Sequence, residues 1–354
     1  MGQKYTKLFV SLFLSSLLVV LFLSCDSNLT FPKLQRIDSY EKTVVVVAED
    51  LRNGGIIGVV VGIQEACQAL NWNVEIFDIS SSATMRHQSL VEALALKPDG
   101  LILVGGDTVS MSTYSYLKKF EQQHIPIMGW HIAPYPGSIP DTPVQVNVTT
   151  DSRQVALAAA GLVQPQEGQT AGVVVFTDRR INIALEKANQ MLKALEGCDR
   201  CIVLSVEDIP LDQTAFLVPP AIRRLQKRYG KRWTHSLAIN DLYFDHAINE
   251  LVSSNLPTPL NISAGDGSTS ALLRMKYESY QYASVAEPLL MHGWQLVDEI
   301  HRNLIGDPPS GYVNQPYVVT HKNAASVVNS RGFFEPDRPY RQLYQERWRE
   351  NQGG

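Results

Sequence analysis

Asn240-Asp241, Asp266, Asp107 and Trp130 each stand just past a run of apolar residues, and their side chains suit one kind of chemistry. Carboxylates and amides offer paired hydrogen bonds to vicinal hydroxyls, and an aromatic ring covers an apolar face. Each residue also has an ordinary alternative. Asp266 precedes Ser268 and would serve as a helix cap or turn residue. Asn240 would cap from the loop side. Asp107, after Gly105-Gly106, either lines a cleft or caps the next helix, and Trp130 either presents its ring or packs in a core. His131 has no partner at metal-ligand spacing, so no metal is expected. The sequence holds no G-x-S-x-G, no H-E-x-x-H and no phosphate-cradling P-loop, and Gly54-Gly55 and Gly105-Gly106 form no dinucleotide fingerprint. The pattern reads as binding without catalysis or a cofactor.

These residues must be placed by strands. Thr43–Ala48 (TVVVVA) is a continuous β-branched run of the kind buried on both faces of a parallel sheet. Helical periodicity follows over 56–70, then a strand over 74–79, a helix over 84–96, strand 100–104, helix 110–122 and strand 126–130. A proline-rich stretch (Pro134, Pro136, Pro140, Pro143) interrupts, and the strand–helix alternation restarts at 145–148 and runs to a last amphipathic helix over 289–304. The expected fold class is α/β, with two doubly wound parallel-sheet lobes joined by a hinge and a ligand cleft between them. Residues 331–354 are polar with interspersed aromatics and read as a surface tail, in part helical.

The chain begins with Lys4 and Lys7, then an uncharged apolar run from Leu8 to Leu23, then Ser24-Cys25-Asp26. That is the pattern of an export signal, too short for a spanning helix. The net charge of −4 becomes −6 without Lys4 and Lys7, which argues against a polyanionic partner such as nucleic acid. Cys198 and Cys201, in C-D-R-C after a helix, suit a local disulfide in an oxidising compartment better than a redox pair, which would open a helix. Cys67 falls on an apolar helical face as a small core residue.

Several stretches, in order and spacing, carry a resemblance: "VVVVAEDLRNGGIIGVVVGIQEACQALNWNVEIFD", "KPDGLILVGGD", "IPIMGW", "SLAINDLYFDHAINEL", "NISAGDGSTSALL" and "ASVAEPLLMHGWQLVDEIHRNLIGDPP". Over about residues 43–328 the sequence resembles the periplasmic substrate-binding proteins of sugar ABC transporters, of the ribose- and galactose-binding class. The leader resembles the lipobox of bacterial lipoproteins, with Cys25 as the lipidated residue and Asp26 resembling an inner-membrane retention signal. The resemblance implies 1–24 as signal peptide and 25–42 as anchored linker. It implies 43–148 plus 288–310 as one lobe, 149–287 plus 311–330 as the other, and 331–354 as the polar tail. It implies ligand contacts from Asp50, Arg52, Asn53, Asn240, Asp266 and Glu287, beside Asp107, Trp130 and His131 at strand ends. The family's Asp-Arg pair is replaced by Gly129-Trp130-His131, and its early-helix arginine is unmatched, with Arg179 or Arg180 as substitutes. The implied function is capture of a small polar ligand, a monosaccharide or polyol, by hinge closure. The implied partner is an inner-membrane ABC permease with its ATPase, served by a monomer lipid-anchored in the periplasm. The alternative is a sensing subunit for a membrane kinase or chemoreceptor, its acidic pocket at Asp266 and Glu287 taking a small amine.

Overall fold

The computed structural model describes residues 41–106, 111–277 and 279–352. The leader, Cys25 and Asp107 lie outside the described residues. In the first lobe, β1 (Thr43–Ala48), α1 (Gly54–Ala69), β2 (Asn73–Asp78), α2 (Ala83–Ala95), β3 (Gly100–Val104), α3 (Met111–Gln122), β4 (Ile127–Trp130) and β5 (Val146–Val148) follow in order. The strands lie β2-β1-β3-β4-β5, all parallel. The β-branched run of β1 is explained by its place inside this sheet. Val44, Val46 and Ala48 pack on the face that α1 covers, and Val45 and Val47 on the face over α2 and α3. Side chains alternate across a strand, so only a strand buried on both faces tolerates an unbroken apolar run.

The second lobe holds α4 (Ser152–Ala160), β6 (Ala171–Thr177), α5 (Asn182–Glu196), β7 (Cys201–Asp208), α6 (Thr214–Tyr229), β8 (His235–Ala238), α7 (Leu242–Val252), β9 (Leu260–Ser263), α8 (Thr269–Lys276) and β10 (Ala283–Ala286). Then come α9 (Leu289–Ile305), β11 (Tyr317–Thr320), α10 (Ala324–Val327) and α11 (Tyr340–Gln352). The second sheet is ordered β11-β10-β9-β8-β6-β7, parallel except for β11. Strand β11 is too short and too flanked by polar residues to stand out in the sequence. Helix α6 begins at Thr214 and carries Pro219 and Pro220 within it. Cys198 and Cys201 are disulfide-bonded at the entry to β7. Cys67 is fully buried, and burial pushes its thiol up to about 12.

Helix α9 returns to the first lobe and packs on α1 at very short range. A Cβ on Gly293 would lie 2.5 Å from Ile63 N and Val59 O, and one on Gly62 would lie 2.3 Å from Leu290 O. The obstacles are backbone atoms, which no rotamer change can move aside. Gly293→Ala is therefore expected to destabilise the protein by about 2–3 kcal/mol through overpacking, read as a lowered urea midpoint at unchanged slope.

After β11 and α10, the chain crosses back once more. Residues 331–352 are not a surface tail. Tyr340, Tyr344 and Trp348, spaced four apart, turn one face of α11 onto Trp294 of α9. The Trp348 and Trp294 rings stack in parallel at 5.5 Å. Glu65 of α1 accepts from Trp294 Nε1 and Arg341 Nε, both at 3.1 Å, and pairs with Arg331. On the way, Phe333 enters the core of the first lobe, while its neighbour Phe334 enters the second lobe's cluster with Leu272, Met275 and Val319.

Candidate functional site

Loops at the carboxyl ends of both sheets enclose a cavity of about 590 Å³. Its first-lobe wall comes from the loop after β1 (Glu49, Asp50, Arg52, Asn53), from Gly105 and Gly106, and from Trp130 and His131 after β4. Its second-lobe wall includes Lys187, Asn240 and Asp266.

The inner end is a buried polar cluster that spans the lobes. His131 Nε2 lies 3.0 Å from Glu287 Oε2, and His131 Nδ1 4.0 Å from Asp266 Oδ1. The Lys187 ammonium stands 3.7 Å from both Asp266 Oδ1 and Glu287 Oε1. Thr150 N–H donates to Glu287 Oε2 at 3.2 Å, and Asn240 Nδ2 donates to Asp266 Oδ2 at 2.7 Å. Burial works to raise the Glu287 carboxyl, but His131 and Lys187 outweigh it and hold Glu287 below the usual range. For Asp266 burial, helped by the neighbouring Glu287, wins over Lys187 and His131, and its carboxyl is held above the ordinary value.

The loop that presents Asp266 is organised by Asp241, which is wholly buried. Its carboxylate accepts from Gly267 N at 2.8 Å, Ser268 N at 3.1 Å and Gln281 Nε2 at 2.6 Å. Ser268, not Asp266, caps α8, accepting from Ala271 N. Asp266 is thereby free to face the cleft, where the start of α1 meets it: a Cβ on Gly55 would lie 2.3 Å from Asp266 Oδ2.

The cavity brings together Asp50, Arg52, Asn53, Trp130, His131, Asn240 and Asp266, with Glu287 fully buried directly behind His131. Asn53 and Asn240 also keep local duties. Asn53 Oδ1 caps α1 by accepting from Gly55 N, and Asn240 Oδ1 accepts from Leu242 N. Trp130 offers no free platform: the His131 ring stacks on it at 3.7 Å and 9°, and its Nε1 donates to His292 Nδ1 at 3.1 Å. Arg179 is exposed and does not line the cavity. Arg180 does, but Asp178 and Asp212 hold it at 2.8 and 2.5 Å. The second-lobe cation at the inner cluster is Lys187, one turn past Ile183 on the inward face of α5. Its ammonium lies between Asp266 and Glu287 and offsets part of the negative charge there. His131, Asp266 and Glu287 have ligand atoms within 4.8 Å of one another, as a metal site requires. The Lys187 ammonium, 3.7 Å from both carboxylates, would repel a divalent cation, so that donor set fits one poorly.

His292 is wholly buried next to this cluster. Burial lowers its pKa to about 4, against the opposing pull of Glu287. Its neutral Nδ1 must accept from Trp130. As pH falls below about 6.5, the unfolded chain binds a proton that the native state refuses until about pH 4, so stability is lost across that window. Between pH 7 and 5 the loss from this residue is expected to be about 2 kcal/mol, checked by urea titrations. His292→Gln, whose amide oxygen can still accept from Trp130, should flatten the slope by one proton over the same range.

No family model and no curated protein matches the sequence. Solved structures do match the fold. An ABC transporter solute binding protein from Agrobacterium vitis, with bound allitol, superposes with a TM-score of 0.68 at 16% identity, covering 82% of this chain and 99% of that one. This is the solute-binding-protein fold. A sugar ABC transporter protein from Yersinia enterocolitica reaches a TM-score of 0.73 at 14% identity, over 87% of this chain and 95% of its own. An ABC transporter periplasmic solute binding protein from Actinobacillus succinogenes, with bound D-allose, gives 0.67 at 14%, over 80% and 99%. In the solute-binding fold, the cavity described above occupies the gap between the carboxyl ends of the two sheets. No helix among the described residues is long and apolar enough to cross a membrane.

Proposed function

We propose that this chain is a non-catalytic, extracytoplasmic solute-binding protein. It captures an uncharged polyhydroxylated ligand between its lobes and delivers it to an ABC permease driven by a cytoplasmic ATPase. The observation that carries the reading is the pairing of charges around the cavity. Among the described lining residues, Arg52 is held by Asp50, Arg86 by Glu49, Arg180 by Asp178 and Asp212, and Lys187 by Asp266 and Glu287. Asp245 is paired with Arg274. Each of these cations is held by one carboxylate or two, so none is left over for an anionic ligand, whereas hydrogen-bonding capacity is dense at the inner cluster. Hydroxyls of a neutral sugar or polyol meet such groups without desolvating a charge of their own. The allitol and D-allose bound by the two neighbours are of this class.

In this reading Asp50, Arg52, Asn53, His131, Lys187, Asn240 and Asp266 contact the ligand, and Glu287 holds His131 and Lys187 from behind. Bound ligand bridges the lobes and favours the closed state through contacts it makes only there. Cys25 carries a lipid that tethers the protein to the membrane.

The test is a thermal-shift screen of residues 27–354, refolded after stripping in denaturant, against pentoses, hexoses, polyols, small amines and small carboxylates. A neutral ligand at a hundred times its dissociation constant stabilises by about 2.7 kcal/mol, a shift of several degrees. Shifts confined to amines or carboxylates, with the sugars silent, would refute the proposal.

A further inference from the structure

The cavity carries a second set of polar groups beyond the inner cluster. Glu287 follows β10, Asp266 follows β9 and Asn240 follows β8, so the inner cluster sits over three consecutive strand ends. Arg180 follows β6, while Asp212 and Thr214 follow β7 at the edge of the sheet, and all three line the same cavity. Aliphatic side chains are set among them, Ile181 and Ile183 after Arg180 and Leu211 before Asp212. Asp245 and His246 add polar groups from α7. Neighbouring strands lie about 4.8 Å apart, so from β9 to β7 the floor runs about 14 Å. That exceeds the width of one sugar ring.

The first lobe faces this outer group with Glu49, Asp50 and Arg52, from the loop after β1. Burial holds the Glu49 carboxyl up against Arg86, and the charges of Asp50 and Asp212 add to the rise. Asp50, with a smaller share from Asp212, favours the charged form of Arg52. Asp212 thus acts across the cleft on both first-lobe residues. The ion pairs also keep hydrogen-bonding capacity in hand. Arg52 and Arg180 reach their carboxylates through Nε and Nη2, and Asp212 meets Arg180 through Oδ1. Nη1 of each arginine and Oδ2 of Asp212 have no hydrogen-bond partner among the described residues. Donors from both lobes and an acceptor therefore remain for hydroxyls. No Phe or Tyr lines the cavity among the described residues, and the face of Trp130 is taken by His131. A ring at the outer group is held by hydrogen bonds and aliphatic edges instead of stacking.

Resting on the sugar-binding reading above, we propose that the cavity holds two linked rings. One sits on Asn240, Asp266, Lys187 and His131. The other lies between Arg180 and Asp212 of the second lobe and Arg52 of the first. The class is a neutral disaccharide, or a glycoside whose aglycone is itself a polyol, rather than a single monosaccharide. Each ring bridges the lobes, so the ligand ties the cleft at its inner end and again at its outer end, where Arg52 and Arg180 are exposed.

The test is titration calorimetry on the same protein with matched probes. They are D-ribose, D-allose, D-glucose and D-galactose, the methyl glycosides of the last two, and the disaccharides maltose, cellobiose, melibiose and lactose. At least one disaccharide is expected to bind about tenfold or more tighter than its component sugars and their methyl glycosides, the gain that one hydrogen bond to a charged group supplies. Asp212→Asn keeps the side chain's shape and an oxygen for Arg180. It should lower the ratio of disaccharide to monosaccharide affinity about tenfold. Disaccharides that bind no tighter than the monosaccharides would overturn the inference and leave the sugar-binding reading intact. An unchanged ratio in Asp212→Asn would overturn the placement of the second ring. If no sugar of either size binds, the sugar-binding reading fails, and the inference with it.

Discussion

Asp266→Asn is expected to weaken ligand binding about a hundredfold while leaving cooperative folding in place. The carboxylate lines the cavity at the inner cluster, between Asn240, Lys187 and His131. A hydrogen bond to a charged group is worth about 1.5–3 kcal/mol, and one such bond to a ligand hydroxyl accounts for a factor of a hundred. The stability cost should be small for a specific reason. Burial already holds the Asp266 carboxyl above its ordinary value, so the charge is costly where it stands. Asparagine keeps the shape and removes that cost, and Glu287 remains to partner Lys187. Calorimetric titration and melting of the variant beside the parent check both halves. Undiminished affinity would remove Asp266 from the site, and a lost cooperative transition would make it a structural residue.

Trp348→Ala is expected to cost about 3–5 kcal/mol of stability, the range for emptying a buried aromatic site. The ring packs against both Trp294 and Tyr344, and its Nε1 donates to Asp298 at 2.8 Å. Asp298 is fully buried, so removing that donor strips a carboxylate that only Arg302 and Arg347 would still hold. A loose surface tail would give a change below about 0.5 kcal/mol. Urea unfolding distinguishes the two outcomes, and a near-zero effect would detach α11 from the core.

What could be read from the sequence, and what could not, follows from how each residue advertises its environment. The run TVVVVA admits little besides a doubly covered strand, and β1 is one. Asn240 and Asp266 follow strands and reach the cavity as strand-end residues do. Lys187 was hidden because a lysine on an amphipathic helix ordinarily points to water; only the carboxylates arriving from β9 and β10, far along the chain, make burial tolerable. Trp130 was ambiguous because the residue that covers its face is its own neighbour, His131. The polar composition of 331–352 masked the burial of α11, although Tyr340, Tyr344 and Trp348 at four-residue spacing are a visible stripe. Pairwise geometry between distant segments leaves no local trace in a single chain.

Phe333 and Phe334 set a mechanical condition on any movement of the lobes. Each ring is anchored in a different core, yet their Cα atoms are one peptide unit apart, about 3.8 Å. While both rings stay seated, the lobes cannot draw apart at this point by more than a fraction of that length. They can only turn about it. The peptide between the two phenylalanines is thus a pivot.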